Sequence, residues 1–508
     1  MVSLERNLGQ TQSYFQVKIC RIYIMDNNLK SKTLSGVIWQ FSQKILVQLF
    51  SFIVTVILAR LLSPSDYGVV ALACMFNILV GIFVSGSMDA ALIQKKDADE
   101  LDYNTIFYSS LFMSFVIYGV VYVGSPYFAS FYHNEQICSV MRVLALTMPI
   151  GALSMVQNAI ISRRLEFKKF FFASFFGQVV SAIVGIYMAY CGFGPWALVA
   201  QQMLSSITNT LVMAAIVRWY PKRMFSFERF KILFSFAWKK TCASFIGTLC
   251  EQLKGYLIGY KYTTADLAYF NRGEGLPQMF NSNISGTINT VLFPVLSKLQ
   301  GDTVAVKRGM RRAMMTSSYI LTPLFFGLAA ISDKVVPLLY SEKWTPAIPF
   351  MQLACLTSVV IVLNSANLQS IYAIGKSGEV LKLEFYKKPI MIALLVGGIY
   401  FGPIGISTSM LLYSFYVLFM NTKPNKKYLN YSIMEQIGDI KMGVIFSLIM
   451  LVLVMGVGHF ISNIFVSVCI QIPLGVGIYV GLSELFKPEA YCFVKDTMLV
   501  QLKRRFKK

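Results

Sequence analysis

The 508-residue sequence predicts an all-α polytopic membrane protein of about 14 transmembrane helices, with both termini cytoplasmic. Three observations carry that expectation. Apolar runs of about 20 residues, the length that crosses a bilayer core, recur along the chain. The chain is 56% hydrophobic and only 14% charged, where a soluble protein carries about 25%. Its basic residues gather in alternate connectors.

The expected spans are 33–60, 67–93, 104–124, 138–161, 170–190, 194–217, 232–260, 266–296, 310–331, 346–373, 385–401, 403–421, 439–459 and 461–485. The connectors on the side of the N-terminus hold Lys95/Lys96, Arg163/Arg164/Lys168/Lys169, Arg218/Lys222/Arg223, Arg308/Arg311/Arg312, Lys387/Lys388, Lys426/Lys427 and the tail LKRRFKK. About 36 basic residues lie there, against about 4 on the other side (Arg60, Lys261, Lys334 and Lys343), which is the positive-inside pattern. The net charge of +22 therefore reads as topology and not as nucleic-acid binding.

Residues 1–29 read as an N-terminal extension, with no signal peptide, and Met25 reads as the true start of translation, with 1–24 a mis-called addition. In the first span, Gln40, Lys44, Gln48, Ser51 and Thr55 make one polar stripe. The connector after it, LARLLSPSDYGVVAL (58–72), ends one helix at Pro64 and caps the next with Ser63, Ser65 and Asp66. Tyr67 suits a membrane interface. Arg60 and Asp66 have a second reading, as a latch on the outer face.

A fainter copy, LIGYKYTTADLAYF, follows at 257–270. GFGPWAL (192–198) is echoed by YFGPIGI (400–406), and SRRLEFKKF (162–170) by LKLEFYKKP (381–389). Three echoes in one order predict two copies of a six-helix lobe, related by an axis along the membrane normal, with the site between them. The expected organisation is an N-lobe at 30–217, a cytoplasmic interfacial linker at 218–231 and a C-lobe at 232–421. Two further helices follow at 422–486, then a basic tail at 487–508. PKRMFSFERFK (221–231) and the tail from Val494 read as membrane-surface helices.

The outer connectors, the longest near 125–137 and 332–345, are too short for a domain of their own. The nine cysteines lack metal or redox spacing, and His133 and His459 are far apart, so neither a disulfide framework nor a metal site is expected. No P-loop is present, so ATP is not the direct energy source, and no cofactor is expected. No connector carries a carboxylate pair or a nucleophile–base set, which disfavours a membrane polymerase, ligase or glycosyltransferase.

Polar residues cluster in particular spans. The sixth holds Gln201, Gln202, Ser205 and Asn209, and the tenth Asn364 and Asn367. The seventh holds Lys240, Glu251 and Lys254, and the eighth Asn271, Arg272, Glu274, Gln278, Asn281 and Asn289. Such groups should face a wet cavity or another helix. Glu251, Lys254, Arg272 and Glu274 share one depth and predict two opposite-sign pairs, either structural or belonging to a proton- or cation-linked gate. Lys44 and Lys240 lie nearer the cytoplasmic side, without an acidic neighbour at their depth. Trp39 and Tyr269 could stack on a sugar.

The stretch IWQFSQKILVQLFSFIVTVILARLLSPSDYGVVALA resembles the opening of the polysaccharide transporter (Wzx-type) branch of the MOP flippase superfamily. LIQKK, RRLEFKKF, GFGPWALVAQQ and YFNRGEGLPQM extend the likeness over roughly 30–420. In the second lobe the connector becomes GYKYTTAD, which departs from a symmetric latch. The resemblance implies two lobes that alternate between inward- and outward-facing states in the bacterial inner membrane. It implies an undecaprenyl-diphosphate-linked oligosaccharide as cargo, carried from the cytoplasmic to the periplasmic leaflet for lipopolysaccharide, capsule or exopolysaccharide. Polysaccharide polymerase and chain-length machinery are implied partners, besides the lipid bilayer.

On that reading Lys44 and Lys240 receive the diphosphate first, and Arg272 and Lys254 hold it later. Trp39, Gln40, Gln48, Asn271 and Gln278 line the cavity. Glu251, Glu274, Asp89, Arg60 and Asp66 gate it or couple an ion. A polyprenyl tail costs about 0.8 kcal/mol per methylene in water, so it must stay in the bilayer while the head crosses. The alternative is a MATE-like multidrug or metabolite exporter of the same superfamily, with Asp89 or Glu251 as coupling acid.

Overall fold

A computed structural model describes residues 46–85, 88–95, 97–164 and 166–496. Trp39, Gln40, Lys44, the extension at 1–29 and the end of the tail lie outside the described residues.

All regular structure among the described residues is helical. The first half runs α1 (Leu46–Leu61), α2 (Pro64–Ser85), α3 (Met88–Gln94), α4 (Glu100–Phe131), α5 (Gln136–Ala145), α6 (Thr147–Arg164), α7 (Phe167–Tyr190) and α8 (Pro195–Val217). The second runs α9 (Phe227–Lys261), α10 (Thr264–Lys298), α11 (Thr303–Ala330), α12 (Ser332–Tyr340), α13 (Ile348–Ala373), α14 (Ser377–Gly398), α15 (Gly402–Leu429), α16 (Ile433–Phe460), α17 (Ile464–Phe486) and α18 (489–496). A helix lies under every expected span. One span is broken among the described residues: 138–161 is α5 plus α6, divided at Leu146, while 67–93 is covered by α2 and α3. The outer connector 332–345 is ordered as α12 and a 3-10 turn at Glu342–Ala347.

Among the described residues, nine helical stretches are long and apolar enough to cross a membrane on those grounds alone. Helices α8, α9 and α10 are not among them. They are the helices that carry Gln201, Gln202, Lys240, Glu251, Lys254, Asn271, Arg272 and Glu274. Helices this polar need protein or water around some of their surface.

The chain divides into two compact units. One comprises the residues up to Leu62 with Leu72–Leu249; the other comprises Ser63–Ala71 with Cys250–Lys508. The division falls inside α2 and inside α9 rather than in the 218–231 linker.

The first unit is held at one end by an ion-pair hub. Asp99 and Asp102 form a capping box at the start of α4. Asp102, fully buried, accepts from Lys95 at 2.5 Å and lies 3.6 Å from Arg229. Arg163 donates to the carbonyls of Leu92 (2.6 Å) and Lys95 (2.7 Å). The hub sits on an apolar cluster that includes Leu92, Ile106, Phe107, Ile160 and Trp219.

The stretch 221–231, expected from its composition to be a surface helix, is not helical throughout. Residues 218–226 form a non-helical strap, and helix begins only at Phe227. The backbone N–H of Lys222 donates to Asn104 Oδ1 at 2.5 Å, and that of Ser226 to Thr105 Oγ1 at 3.2 Å. Side chains of α4 thus take the donors that a helix would have used.

Replacing Asp102 with alanine leaves Lys95 and Arg229 without their shared partner. The expected loss is about 3 kcal/mol, the low end for a broken buried pair, because both basic side chains stay partly exposed. Thermal unfolding in detergent reads it directly. An unchanged midpoint would mean that the hub contributes nothing to stability.

The second unit packs α10, α11, α13 and α15 around Leu296, Met310, Met314, Leu363 and Leu429. A buried amide ring ties α13, α15 and α16 together. Asn367 and Gln436 exchange hydrogen bonds at 2.9 and 3.0 Å, Asn425 donates to Asn367 Oδ1 at 2.9 Å, and Ser370 donates to Asn425 at 2.6 Å. Arg311 bridges Asp439 of α16 and Glu489 of α18, both at 2.8 Å.

Candidate transport site

In the first unit, α2, α3, α5, α6 and α8 enclose a cavity of about 460 Å³. Its polar wall is Cys74 and Asn77 from α2, Asp89 from α3, Thr147 and Asn158 from α6, and Gln202 from α8. Cys74 and Gln202 hydrogen-bond each other at 3.2–3.3 Å. Both side-chain polar atoms of Asn77 and the oxygen of Asn158 are buried without a partner. A buried amide without a partner is costly, so these groups call for donors and acceptors that the described residues do not supply. Gly81 and Gly151 lie in the wall, and a Cβ on either would meet nothing within 4 Å. Among the described residues the lining holds one carboxylate and no Lys or Arg. The volume is that of a small-molecule site. Its chemistry suits hydroxyl and amide groups and repels none of them; the described lining offers a diphosphate no Lys or Arg.

The second unit contains the other candidates. Helices α9 and α10 form a hairpin through Tyr262 and Thr263. Lys254 of α9 meets Glu274 of α10 at 2.5 Å, and its ammonium lies 5.1 Å from the Phe270 ring. One of the two expected ion pairs is therefore present. The other is not: among the described residues Arg272 pairs with no carboxylate, and Glu251 is exposed. The reason is helical geometry. Residues 272 and 274 are two apart, about 200° around the helix, so they cannot both face α9.

Arg272 points instead into an aromatic cage. Its guanidinium lies 4.5 Å from the ring of Tyr67, 5.0 Å from Trp344 and 5.1 Å from Tyr340. Tyr67 and Tyr269 meet Trp344 edge-on at 5.4 and 5.9 Å. Trp344 is fully buried. Burial of Arg272 Nε without a hydrogen-bond partner leaves the three ring faces as its compensation.

The two echoed connectors meet here. Ser63 and Asp66 cap α2 reciprocally: the Ser63 hydroxyl donates to Asp66 at 2.6 Å, and the Asp66 N–H to Ser63 at 3.2 Å. Thr263 and Asp266 repeat the box on α10, at 2.7 and 3.1 Å. The helix starts touch at Gly68, where a Cβ would fall 1.9 Å from the carbonyl oxygen of Thr264. Only a glycine allows that approach. Gly273 permits a similar approach further along α10, where a Cβ would lie 2.6 Å from Phe350 Cβ of α13.

The remaining sequence candidates are dispersed. Lys240 is exposed on α9 within the first unit, with no ion-pair partner among the described residues; Gln48 and the exposed Arg60 belong to α1 of that unit. Asn271 is half-buried and Gln278 exposed on α10 of the second. Asp89 is at the cavity, and Asp66 is engaged in its cap. Sequence reasoning overlooked Asn77, Asn158, Tyr340 and Trp344. The two asparagines were visible as isolated amides in apolar spans; the aromatic pair carried no signal of its own.

The family model described as "Polysaccharide biosynthesis protein" matches residues 57–349. The chain belongs to this family. Relatives of the family are similar over most of the chain. The succinoglycan biosynthesis transport protein ExoT of Rhizobium meliloti is 21% identical, covering 70% of this chain and 71% of its own. The lipopolysaccharide biosynthesis protein WzxC of Escherichia coli is 20% identical, covering 76% and 79%. The teichuronic acid biosynthesis protein TuaB of Bacillus subtilis is 22% identical, covering 71% and 74%.

Among solved structures, the lipid II flippase MurJ matches with a TM-score of 0.69 at 17% identity, over 89% of this chain and 98% of that one. A multidrug resistance MATE family transporter of the MOP superfamily matches with a TM-score of 0.58 at 14% identity, over 80% and 99%. This family member therefore has the MOP transporter fold, and it is a multi-pass membrane transporter of polysaccharide biosynthesis.

Proposed function

We propose that the protein is a flippase for polyprenyl-diphosphate-linked oligosaccharides, working by alternating access in a bacterial cytoplasmic membrane. The observation that carries the reading is the first unit's cavity: amides without a protein partner and, among the described residues of its lining, one carboxylate and no Lys or Arg, in a member of a polysaccharide-biosynthesis family. We assign this cavity to the sugar head. The diphosphate belongs with basic groups elsewhere, with Lys44 and Lys240 first and Lys254 later. The prenyl tail stays in lipid, because withdrawing it costs about 0.8 kcal/mol per methylene.

Two six-helix lobes, 14 crossings and a cytoplasmic N- and C-terminus complete the proposal. The basic connectors support the orientation, and the paired capping boxes support the repeat. Glu251, Glu274 and Asp89 are the groups available for gating or ion coupling. Polymerase and chain-length proteins would take the product on the outer side. No step makes or breaks a covalent bond, so the protein acts without catalysis.

The test uses proteoliposomes and a fluorescent polyprenyl-diphosphate-sugar. Wild type should move the lipid between leaflets. The double substitution Asn77→Leu with Asn158→Leu should slow it at least about tenfold, because the cavity loses the groups that meet sugar hydroxyls. Its unfolding midpoint should not fall, since apolar atoms replace polar atoms that have no partner. Transport by the double variant at wild-type rate would keep the flippase and discard the cavity as sugar site. Asp89 at the same cavity favours a second reading, a cation-coupled exporter; failure of wild type to move any of several lipid-linked heads would select it.

A further inference from the structure

A second groove, of about 890 Å³, lies in the first unit where α4 turns into α5. It is lined by Ser130, His133, Asn134, Glu135, Cys138, Ser139 and Arg142. The charge pattern of the connectors predicts that the turn lies opposite the basic ones, on the side where Lys and Arg are scarce. Among the described residues of the lining, Arg142 is the one Lys or Arg. We propose that this groove binds the phosphate of an anionic phospholipid of the surrounding bilayer leaflet.

The arginine is held in place and keeps donors to spare. Its Nε donates to Ser125 Oγ at 2.8 Å and to the Tyr122 carbonyl at 3.3 Å. Its guanidinium lies 4.1 Å from the Tyr122 ring. Those contacts orient the fork and use one of its three nitrogens. No carboxylate pairs with Arg142 among the described residues; Glu135 sits seven residues away, about two helical turns. Arg142 lies near the start of the stretch Gln136–Arg164, which is apolar and long enough to cross a membrane. An unpaired arginine there is costly unless an anion reaches it.

A phosphate offers the matching geometry, since a guanidinium fork accepts two of its oxygens at once. The acyl chains also have a track. Phe112, Val116, Val120, Val123 and Tyr127 of α4 are all exposed and share one helical face, at intervals of four, four, three and four. That face leads along α4 to the groove at Ala129–Ser130. A soluble anion would use the fork but not the track, and a neutral lipid the track but not the fork.

Native mass spectrometry of the purified full chain, titrated with palmitoyl-oleoyl phosphatidylglycerol, reads retained lipid. Wild type should retain one tightly bound molecule. Arg142→Gln should weaken its retention about tenfold or more, as expected for one lost charge-assisted contact. Ser139→Glu leaves the Arg142 anchor intact and adds a negative charge to the groove wall; it should weaken retention to a similar degree. Lys261→Gln, an exchange at another basic residue of that side, should bind as wild type does. Equal retention by wild type and Ser139→Glu would overturn the proposal, even if Arg142→Gln failed to fold. Inorganic phosphate that displaces the lipid at equal concentration would overturn the phospholipid as occupant and leave a site for free anions.

Discussion

Replacing Gly68 with valine is expected to force the start of α2 off the start of α10 and to suppress transport. An ideal Cβ at Gly68 lies 1.9 Å from the Thr264 oxygen, 2.4 Å from its carbonyl carbon and 2.8 Å from its Cβ. Two of those atoms are backbone and cannot swing aside, so the helix starts must separate. Overpacking of this kind costs about 3 kcal/mol. That is more than a hundredfold bias against the packed arrangement, at about 1.4 kcal/mol per tenfold. Ser63–Ala71 pack within the second unit, whereas α2 continues from Leu72 within the first. If the transport cycle must pass through the packed state, flipping in proteoliposomes falls by about the same factor. Gly119→Ala is the matched control, because its Cβ would meet nothing within 4 Å. Full transport by Gly68→Val, with a normal unfolding midpoint, would show that this contact is not required in the cycle.

The same contact shows how far sequence reasoning reached. The capping of α2 by Ser63 and Asp66 was legible, because a cap is local: it needs only a hydroxyl and a carboxylate three residues apart. The helices were legible for the same reason, as was the polar character of α8, α9 and α10. The Lys254–Glu274 pair followed from shared depth across one hairpin. What the hairpin could not give was the partner of Arg272, which comes from two distant chain segments, one with Tyr67 and one with Tyr340 and Trp344. The cavity with Asn77 and Asn158 was hidden likewise, since its lining is gathered from five helices. The strap at 218–226 failed differently. Its composition suits an interfacial helix, but two hydrogen bonds to α4 side chains outweigh that local preference.

Arg272 permits the second large prediction, because its two possible roles separate experimentally. As a caged cation it stabilises the fold. A desolvated cation–π contact contributes about 2 kcal/mol or more, and here three rings share one guanidinium. Arg272→Ala should therefore lower stability by about 2–3 kcal/mol, seen as a fall in the thermal midpoint of the purified protein. Arg272→Lys should recover only a fraction of it, since an ammonium lacks the flat face that stacks on aromatic rings. Phe in place of Tyr340 keeps the ring and should change little. As a guide for the cargo diphosphate, the side chain would act otherwise: alanine would abolish flipping, leave the midpoint unchanged and be rescued largely by lysine, because a phosphate accepts either cation. The buried Nε and the fully buried Trp344 beside it place the first outcome ahead of the second. A guanidinium enclosed by three rings can meet a diphosphate only after the cage opens, and opening it means withdrawing Tyr67, one residue from the glycine at which α2 touches α10. Combining Gly68→Val with Arg272→Ala tests that link: if the wedge already empties the cage, the second substitution adds little to the first, and the stability losses fall well short of additive.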